Sequence, residues 1–524
     1  MVHKPDRLLH DAFLRHAARI PDKTALVADG RRYSYGETAA AARRLAAALQ
    51  AAGVVRGDRV AVYMENSWWS AVGIYAAWLA GAVLVVVNPQ TKADKLAFIL
   101  RDSGAAALLT EAGLAPCWLP ASADQASLRL IAYHGRLAGE DAAAARAAQP
   151  LADVMAAAPP LRPVAVIPLD LAALIYTSGS TGSPKGVMQT HQAMVFTLGS
   201  LIEYLRLDGD DRILCALPLA FDYGLYQLLM AMSLGATLVL ERSFAYAGQV
   251  FGRMAAQEIT VFPGVPTMFA MLIGAHRRSR LRFEHVRRVT NTAAALPTDY
   301  LPALREIFPN ALIYRMYGLT ECKRVSYLEP ELIDLKPGSV GKAIPGTEVF
   351  LLSPDGGPVP PGELGILHVR GPHVMAGYWN QPELTARMLK PGPVPGERVL
   401  CTHDWFRMDE EGFLYFVGRS DDIIKTRGEK VSPAEVENVL YGVPGVREAA
   451  VVGVPDPLLG EAVVAYVALE PDSGLDAAAL KRICAAKLEN FMVPKRIVIV
   501  PELPKTDTGK ISKKQLVSAD TAHI

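Results

Sequence analysis

The sequence RVAVYMENSWWSAVGIYAAWLAGAVLVVV, residues 59–87, places a short apolar run on each side of a longer apolar segment. The outer runs, Arg59–Tyr63 and Ala82–Val87, are rich in β-branched residues and predict buried strands. The segment between them, residues 69–80, is long enough for a helix of about three turns. Strand, helix and strand in this order predict a βαβ unit, with both strands parallel in one sheet.

The same alternation of helices and strands extends to both sides of this unit. A helical stretch at residues 38–52 precedes it, and apolar runs that predict strands follow it at 171–176, 212–217, 236–240 and 311–314. From about residue 346 to residue 417 the sequence pattern changes to short strands separated by Gly and Pro turns, which is typical of a small β subdomain. We therefore predict an α/β fold in which a large N-terminal domain, residues 1–418, combines parallel-type βαβ subdomains with that β subdomain.

The last hundred residues or so have their own strands and an amphipathic helix near residues 476–489. This pattern predicts a separate small α+β domain, residues 419–524.

Composition excludes several classes of function. The chain has 524 residues and 54 basic against 53 acidic side chains, so no overall charge would attract nucleic acid or an anionic membrane. Its five cysteines are scattered and form no CxxC pair, which argues against a disulfide framework or a zinc site. The N-terminus lacks the apolar segment of a secretory signal, and the most apolar window is broken by Gly81. We expect a cytoplasmic protein.

The segment Thr177-Ser-Gly-Ser-Thr-Gly-Ser-Pro-Lys-Gly186 directly follows a predicted strand. Glycines let the backbone turn and expose its N–H groups, while hydroxyls and the ammonium of Lys185 add donors, so the composition suits phosphate oxygens. The segment is not a Walker A loop, because it ends in Pro-Lys-Gly rather than Gly-Lys-Ser/Thr. We interpret it as a phosphate-binding loop.

With further motifs in the same order, this loop resembles the signature loop of the adenylate-forming superfamily, which includes acyl-CoA synthetases, luciferases and the adenylation domains of nonribosomal peptide synthetases. The motifs are Tyr317-Gly-Leu-Thr-Glu321, Thr402-His-Asp404, Gly418-Arg-Ser-Asp421 and Leu503-Pro-Lys-Thr-Asp-Thr-Gly-Lys510. The resemblance covers nearly the whole chain and implies ATP and Mg²⁺ as cofactors. It implies that the nucleotide contacts Thr177, Ser178, Gly179, Ser180, Thr181, Gly182, Lys185, Ala293, Ala294, Tyr317, Gly318, Thr320, Asp404 and Arg419.

The resemblance also implies individual roles. Tyr317 would pack on adenine, Thr320 would meet the phosphates, and Glu321 would hold Mg²⁺, a role that its hard carboxylate oxygens suit. Asp404 would accept hydrogen bonds from the two ribose hydroxyls. His403 stands where the family usually has glycine, so the conformation of that turn is an open question.

Two more roles concern the C-terminal domain. Lys510 matches the family's catalytic lysine, and an ammonium there would offset negative charge that develops on the α-phosphate. Thr320 and Lys185 are expected to assist in catalysis. Asp421 matches the hinge, about which the small domain would swing to withdraw Lys510 and present the segment near residues 426–428 for attack by a thiol.

The acid substrate is predicted from Phe221-Asp-Tyr-Gly-Leu-Tyr226. Amino-acid adenylation domains tend to have Phe-Asp here, and Asp222 falls on the aspartate that pairs with the substrate's α-ammonium. Phe221, Tyr223, Tyr226 and Met316 would line the same pocket. With Cys322-Lys-Arg324, the segment looks most like ligases that load L-proline onto a peptidyl carrier protein. A group of acyl ligases from exopolysaccharide clusters shares the pattern, and Asp222 could instead cap a helix beginning at Tyr223.

No carrier-protein module is recognisable in the sequence, so a separate carrier protein or free coenzyme A is expected to accept the acyl group. The favoured hypothesis is adenylation of an amino acid, proline by best match, and its transfer to a carrier protein. The alternative is an AMP-forming acyl-CoA synthetase for a fatty or aryl acid. A non-catalytic ATP-binding regulator is disfavoured, because Lys510 and Glu321 are both present.

Overall fold

The computed structural model describes residues 6–145, 147–178, 184–292, 296–419, 422–426, 429–456, 459–471, 473–488, 490–506, 511–513 and 515–517. For residues 178, 425, 429, 430 and 460 it describes the backbone alone.

The helices and strands follow in chain order. The α-helices are α1 (Asp11–Arg19), α2 (Tyr35–Ala51), α3 (Trp68–Leu79), α4 (Ala93–Ser103), α5 (Ala115–Ser122), α6 (Gly139–Ala144), α7 (Leu151–Ala157), α8 (His191–Tyr204), α9 (Asp222–Leu234), α10 (Ala247–Ala256), α11 (Pro266–Ser279), α12 (Leu301–Ile307), α13 (Pro382–Met388), α14 (Pro433–Tyr441) and α15 (Ala477–Lys487). The strands are β1 (Thr24–Ala28), β2 (Arg31–Ser34), β3 (Arg59–Tyr63), β4 (Val83–Val87), β5 (Ala105–Glu111), β6 (Leu130–His134), β7 (Ala148–Pro150), β8 (Leu171–Ser178), β9 (Pro184–Thr190), β10 (Arg212–Cys215), β11 (Thr237–Leu240), β12 (Val261–Gly264), β13 (Arg288–Asn291), β14 (Leu312–Tyr317), β15 (Ser326–Leu328), β16 (Lys342–Ala343), β17 (Glu348–Leu352), β18 (Leu364–Arg370), β19 (Gly377–Tyr378), β20 (Leu389–Pro391), β21 (Arg398–Met408), β22 (Leu414–Arg419), β23 (Ile424–Thr426), β24 (Glu429–Val431), β25 (Val446–Asp456), β26 (Gly460–Leu469) and β27 (Arg496–Ile499).

Two large sheets have parallel centres and antiparallel edges. One runs β16-β15-β14-β13-β12-β10-β11-β1-β2 and is parallel from β14 to β1. The other runs β19-β9-β8-β4-β3-β5-β6-β7 and is parallel from β8 to β7. The predicted βαβ unit is therefore confirmed. The antiparallel strands at the edges add to the prediction: β9, the next strand after the phosphate loop, pairs antiparallel with β8.

The two large sheets share one hydrophobic core. Helix α3 is buried along most of its length, as expected for a helix that is apolar all round. It packs on β3 and β4, while α9 packs on β10 and β11 and contacts α8. A serine fixes the start of α2 and of α3: Ser34 and Ser67 each form a capping box with the third helical residue, as N-cap serines do.

Two smaller sheets complete the fold. Strands β17, β18, β21, β20 and β22 form an antiparallel sheet, which is the predicted β subdomain. Strands β24, β23, β26, β25 and β27 form a last sheet with its own core against α14 and α15. The α/β class with a small C-terminal domain is thus confirmed, whereas the boundary at residues 418 and 419 stays a prediction. Among the described residues, none of the helices has the length and apolar character needed to cross a membrane.

Candidate active site

The predicted nucleotide motifs converge at the carboxyl ends of strands. Thr292 directly follows β13, and Thr320 and Glu321 follow β14, its parallel neighbour. Ligands of open α/β sheets bind at this edge. The phosphate-loop strand β9 reaches the same place, because Gln189 Nε2 donates a hydrogen bond to the carbonyl of Thr320 at 3.1 Å. The structure therefore brings both motifs to one site.

Residues 317–325 form a tight turn, which we call the 317–325 turn. The amide of Lys323 donates to the carbonyl of Leu319 at 2.7 Å, and the amide of Val325 donates to that of Tyr317 at 2.9 Å. A Cβ on Gly318 would lie only 2.4 Å from the carbonyl oxygen of Lys323. Glycine is needed at position 318 because the returning backbone passes so close.

A lysine, a tyrosine and a glutamate meet inside this site. The Nζ of Lys185 lies 3.5 Å from Oε1 of Glu321 and donates to the hydroxyl of Tyr378 at 3.2 Å. The hydroxyl of Tyr378 donates in turn to Oε1 of Glu321 at 2.5 Å. The carboxylate of Glu321 is buried, and both of these contacts reach the same oxygen, Oε1. The predicted phosphate and metal residues are therefore in direct contact.

Tyr378 is a site residue that sequence reasoning missed. It lies 193 residues after Lys185 and reaches it because β19 pairs with β9, with Tyr378 opposite Val187. The amide of Trp379 also donates to the carbonyl of Gly186 at 2.8 Å. No rule of local spacing links two segments so far apart, so only the sheet pairing reveals this contact.

The residues present fit an Mg²⁺ ion that arrives with ATP. Within the described ranges, no group of three or more His, Cys, Asp or Glu side chains could form a separate metal cage. Mg²⁺ is commonly held by one or two carboxylates together with substrate phosphates, which the single carboxylate of Glu321 satisfies. The hydroxyl of Thr177, at the start of the phosphate loop, is buried without a partner among the described residues. An incoming phosphate oxygen would give it one.

Asp404, to which the resemblance gives the ribose role, has an almost fully buried carboxylate. Oδ2 accepts a hydrogen bond from the hydroxyl of Tyr317, and Oδ1 lies 3.7 Å from Nε of Arg419, its partner across β21 and β22. Burial raises the pKa of Asp404 to about 6, although Arg419 and Tyr317 both favour the charged form. Tyr317 and Arg419 therefore both contact the carboxylate of Asp404, and their roles toward the nucleotide stay predictions.

This pKa predicts how nucleoside binding depends on pH. Only the ionised carboxylate of Asp404 can accept both ribose hydroxyls, so affinity should rise with pH up to about 6 and level off above it. Adenosine is the suitable probe because it has no titrating phosphate. We expect calorimetric titration to show up to about tenfold weaker binding for each pH unit below that value. Asp404→Asn should bind weakly with no such slope, and an unchanged slope in that variant would assign the titration to another group.

His403 adopts the conformation that a glycine would have at this position. Its φ is 57°, in the left-handed region, and its side chain is exposed. The backbone before Asp404 therefore has a glycine-like conformation although histidine stands in place of glycine. The Cβ of His403 makes this left-handed conformation sterically unfavourable.

Replacing His403 by glycine should stabilise the protein. Glycine removes the left-handed strain but adds chain entropy to the unfolded state, so we expect a gain of up to about 1 kcal/mol in the free energy of unfolding. Urea denaturation measures it. His403→Ala keeps the Cβ and is the matched control; an equal gain in both variants would mean that the imidazole, not the backbone, is unfavourable.

The predicted acid pocket contains an ion pair. Helix α9 begins at Asp222, with Phe221 at the N-cap position and no side-chain cap, so the helix-capping alternative is wrong. Oδ2 of Asp222 instead lies 3.7 Å from Nζ of Lys323, whose side chain is 2% exposed. Burial lowers the pKa of Lys323, and Asp222 acts against this effect. Asp222 thus already faces an ammonium group of its own chain.

Aromatic side chains surround this pair. Tyr223 and Tyr226 are buried, and the hydroxyl of Tyr223 donates to the carbonyl of Thr290 at 2.8 Å. Met316 is buried next to Tyr204, whose hydroxyl lies 3.0 Å from the methionine sulfur. The residues predicted to line the pocket therefore pack around the end of β14 and the start of α9.

A second buried cation was also missed as a site residue. The Nη1 of Arg324 donates to the hydroxyl of Thr292 at 2.7 Å, and its guanidinium lies 5.5 Å from the ring centre of Tyr223. The ammonium of Lys323 lies 6.0 Å from the ring centre of Tyr226. Consecutive basic residues after a turn ordinarily indicate a solvent-exposed surface, so the sequence gives no sign that both are buried.

Some predicted residues lie outside the described residues. They are Gly179, Ser180, Thr181, Gly182, Ala293, Ala294, Asp421 and Lys510, and the side chain of Ser178 is outside them as well. Their roles stay predictions.

Comparison with known proteins gives matches along most of the chain. Residues 13–379 match the family described as AMP-binding enzyme, and residues 435–510 match the AMP-binding enzyme C-terminal domain. A feruloyl-CoA synthase from Amycolatopsis sp is 35% identical over 96% of this chain and 97% of its own.

Solved structures match as well. The anthranilate CoA ligase AuaEII in complex with anthranoyl-AMP has a TM-score of 0.90 at 28% identity, covering 98% of both chains. The o-succinylbenzoate coenzyme A synthetase of Bacillus subtilis, in complex with ATP and magnesium ion, has a TM-score of 0.82 at 28% identity, covering 97% of this chain and 99% of its own.

Proposed function

The chain belongs to the AMP-binding enzyme family, and on that premise we propose that it joins a carboxylic acid without an α-ammonium group to coenzyme A. It is an AMP-forming acid–thiol ligase that uses ATP and Mg²⁺. We propose the class of the acid and the identity of the thiol acceptor.

One observation carries the choice of acid. An amino acid would place its α-ammonium against Asp222, but Nζ of Lys323 already lies 3.7 Å from that carboxylate. A second ammonium beside a buried lysine would be repelled, because like charges interact strongly where water is excluded. On this electrostatic ground the pairing favours the acyl-CoA synthetase alternative, although Cys322-Lys-Arg324 is also part of the proline-ligase pattern. The feruloyl-CoA synthase and the anthranilate CoA ligase support the same choice.

The reaction would proceed in two steps on this site. The substrate carboxylate attacks the α-phosphate of ATP, and the bond to the pyrophosphate leaving group breaks. The thiol of coenzyme A then loses its proton and attacks the acyl carbon, and AMP leaves. Lys185 would hold phosphate oxygens, and Asp404 would fix the ribose, so that the acid meets the α-phosphate in a defined orientation. Mg²⁺, held by Glu321 and the phosphates, would supply positive charge against the leaving group.

The test separates the acid from the thiol. A pyrophosphate-exchange panel of fatty, aryl and amino acids, including L-proline, identifies the acid. Thioester formation with coenzyme A or with a phosphopantetheinylated carrier protein then identifies the acceptor. We expect exchange with acids lacking the α-ammonium, no exchange with proline, and a coenzyme A thioester as product. Proline-dependent exchange with transfer only to a carrier protein would overturn the proposal in favour of the amino-acid hypothesis.

A further inference from the structure

The acid pocket holds more positive than negative charge. Lys323 and Arg324 are both buried, at 4% and 6% exposure, and among the described side chains only Asp222 lies within ion-pair distance of either. The charge of Glu321 also acts on Lys323, but that carboxylate faces Lys185 and Tyr378 on its other side. Counting Asp222, Lys323 and Arg324 leaves one uncompensated positive charge among the tyrosines.

Donors on both cations have no acceptor in the described part of the chain. Lys323 Nζ lies too far from Asp222 for a hydrogen bond, and it has no other acceptor among the residues that the structure describes. Nη1 of Arg324 donates a hydrogen bond to the hydroxyl of Thr292, while Nε of the same side chain is buried without an acceptor among the described residues. Buried donors on charged groups are costly to leave unpaired, so their presence points to a ligand that pairs with them.

From these contacts we propose that the acid carries a second carboxylate, which Lys323 and Arg324 bind. The substrate would then be a dicarboxylic acid, activated at one end and recognised at the other. This inference rests on the proposed function, since it identifies the acid that the same site joins to coenzyme A.

Other substrate ends fit these charges poorly. An ammonium would meet two cations, and a purely apolar tail would leave the donors of both unpaired. A carboxylate supplies acceptors for both side chains and cancels the remaining charge. The rings of Tyr223 and Tyr226 beside the cations suit the carbon chain or ring between the two carboxylates.

The first experiment uses the wild-type protein and matched pairs of substrates. Each member of the series from succinate to suberate, together with phthalate, is compared with its mono-methyl ester in adenylation and thioester assays. A diacid of fitting length should exceed its half-ester by about 100-fold in kcat/KM, because the ester leaves both cations unpaired. Equal values for every pair, with thioester formed from monocarboxylic acids, would overturn this inference alone. Absence of coenzyme A thioester with every acid would instead overturn the proposed function.

The second experiment assigns the preference to the two cations. In Arg324→Met, and in the double variant Asp222→Asn with Lys323→Met, the preference for the diacid over its half-ester should fall at least about tenfold. The double variant removes both members of the buried pair, so it adds no uncompensated charge to the one already present. Arg282→Met, which alters an exposed arginine, is the matched control and should keep the preference. An undiminished preference in the first two variants would refute binding by Lys323 and Arg324.

Discussion

Lys510→Ala should lower the rate of adenylate formation by about 100- to 1000-fold while leaving thiol transfer from preformed adenylate nearly intact. Only the first step has a nucleophile attacking the α-phosphate, and the resemblance implies that the small domain withdraws Lys510 before the second step, so its ammonium would matter mainly in the first. Pyrophosphate exchange measures the first step, and thioester formation from added acyl-adenylate measures the second.

Lys505→Ala is the matched control for that variant. Lys505 lies in the same C-terminal segment, but its ammonium pairs with Glu448 at 2.9 Å, within the C-terminal domain. The control should keep both steps close to wild type. Equal loss of both steps in Lys510→Ala would show that Lys510 supports the fold of the segment rather than the first reaction.

Glu321→Gln should also lower adenylate formation by about 100-fold or more. Glutamine keeps the shape of the side chain and can still accept the hydrogen bond from Tyr378, but it lacks the charge that a hard cation requires. We expect the activity of the variant to depend on Mg²⁺ at much higher concentration than in the wild type. Titrating Mg²⁺ at saturating ATP measures this shift.

Tyr378→Phe distinguishes the metal role from a structural one. It removes one hydrogen bond to Glu321 and leaves the carboxylate, so its effect should be about tenfold and its Mg²⁺ dependence should change little. If Glu321→Gln lost activity with an unshifted Mg²⁺ dependence, the carboxylate would act by holding Lys185, 3.5 Å away, rather than by binding metal.

The fold was largely predictable because its strands and helices carry strong periodic signals. The strand Arg59–Tyr63 was predicted with the bounds that the structure gives, and α3 begins and ends one residue before the predicted range. The antiparallel edges were not predicted. Alternation of strands and helices says nothing about β9, the next described strand after β8, which pairs antiparallel with it.

The site was predictable only where residues lie close together in the sequence. Asp404 and Glu321 come from short motifs that the sequence alone identifies, and their roles toward ribose and Mg²⁺ stay predictions. Tyr378 and the pairing of Lys323 with Asp222 depend on contacts between distant segments, and no local pattern encodes those contacts. The burial of Lys323 and Arg324 also depends on tertiary packing, since basic side chains ordinarily remain exposed to water.

The 317–325 turn has a consequence for how such a protein can acquire a new substrate. Its first half carries Thr320 and Glu321, and its second half carries Lys323 and Arg324, within one hydrogen-bonded loop closed around Gly318. A substitution that reshapes the second half moves backbone that also positions the first. With the roles proposed for these residues, selectivity and turnover would not be independent traits, and a laboratory library at positions 323 and 324 should yield changed specificity mostly at the expense of rate. Changes on α9 that leave Asp222, the partner of Lys323, in place would avoid that coupling and are the better starting point for redesign.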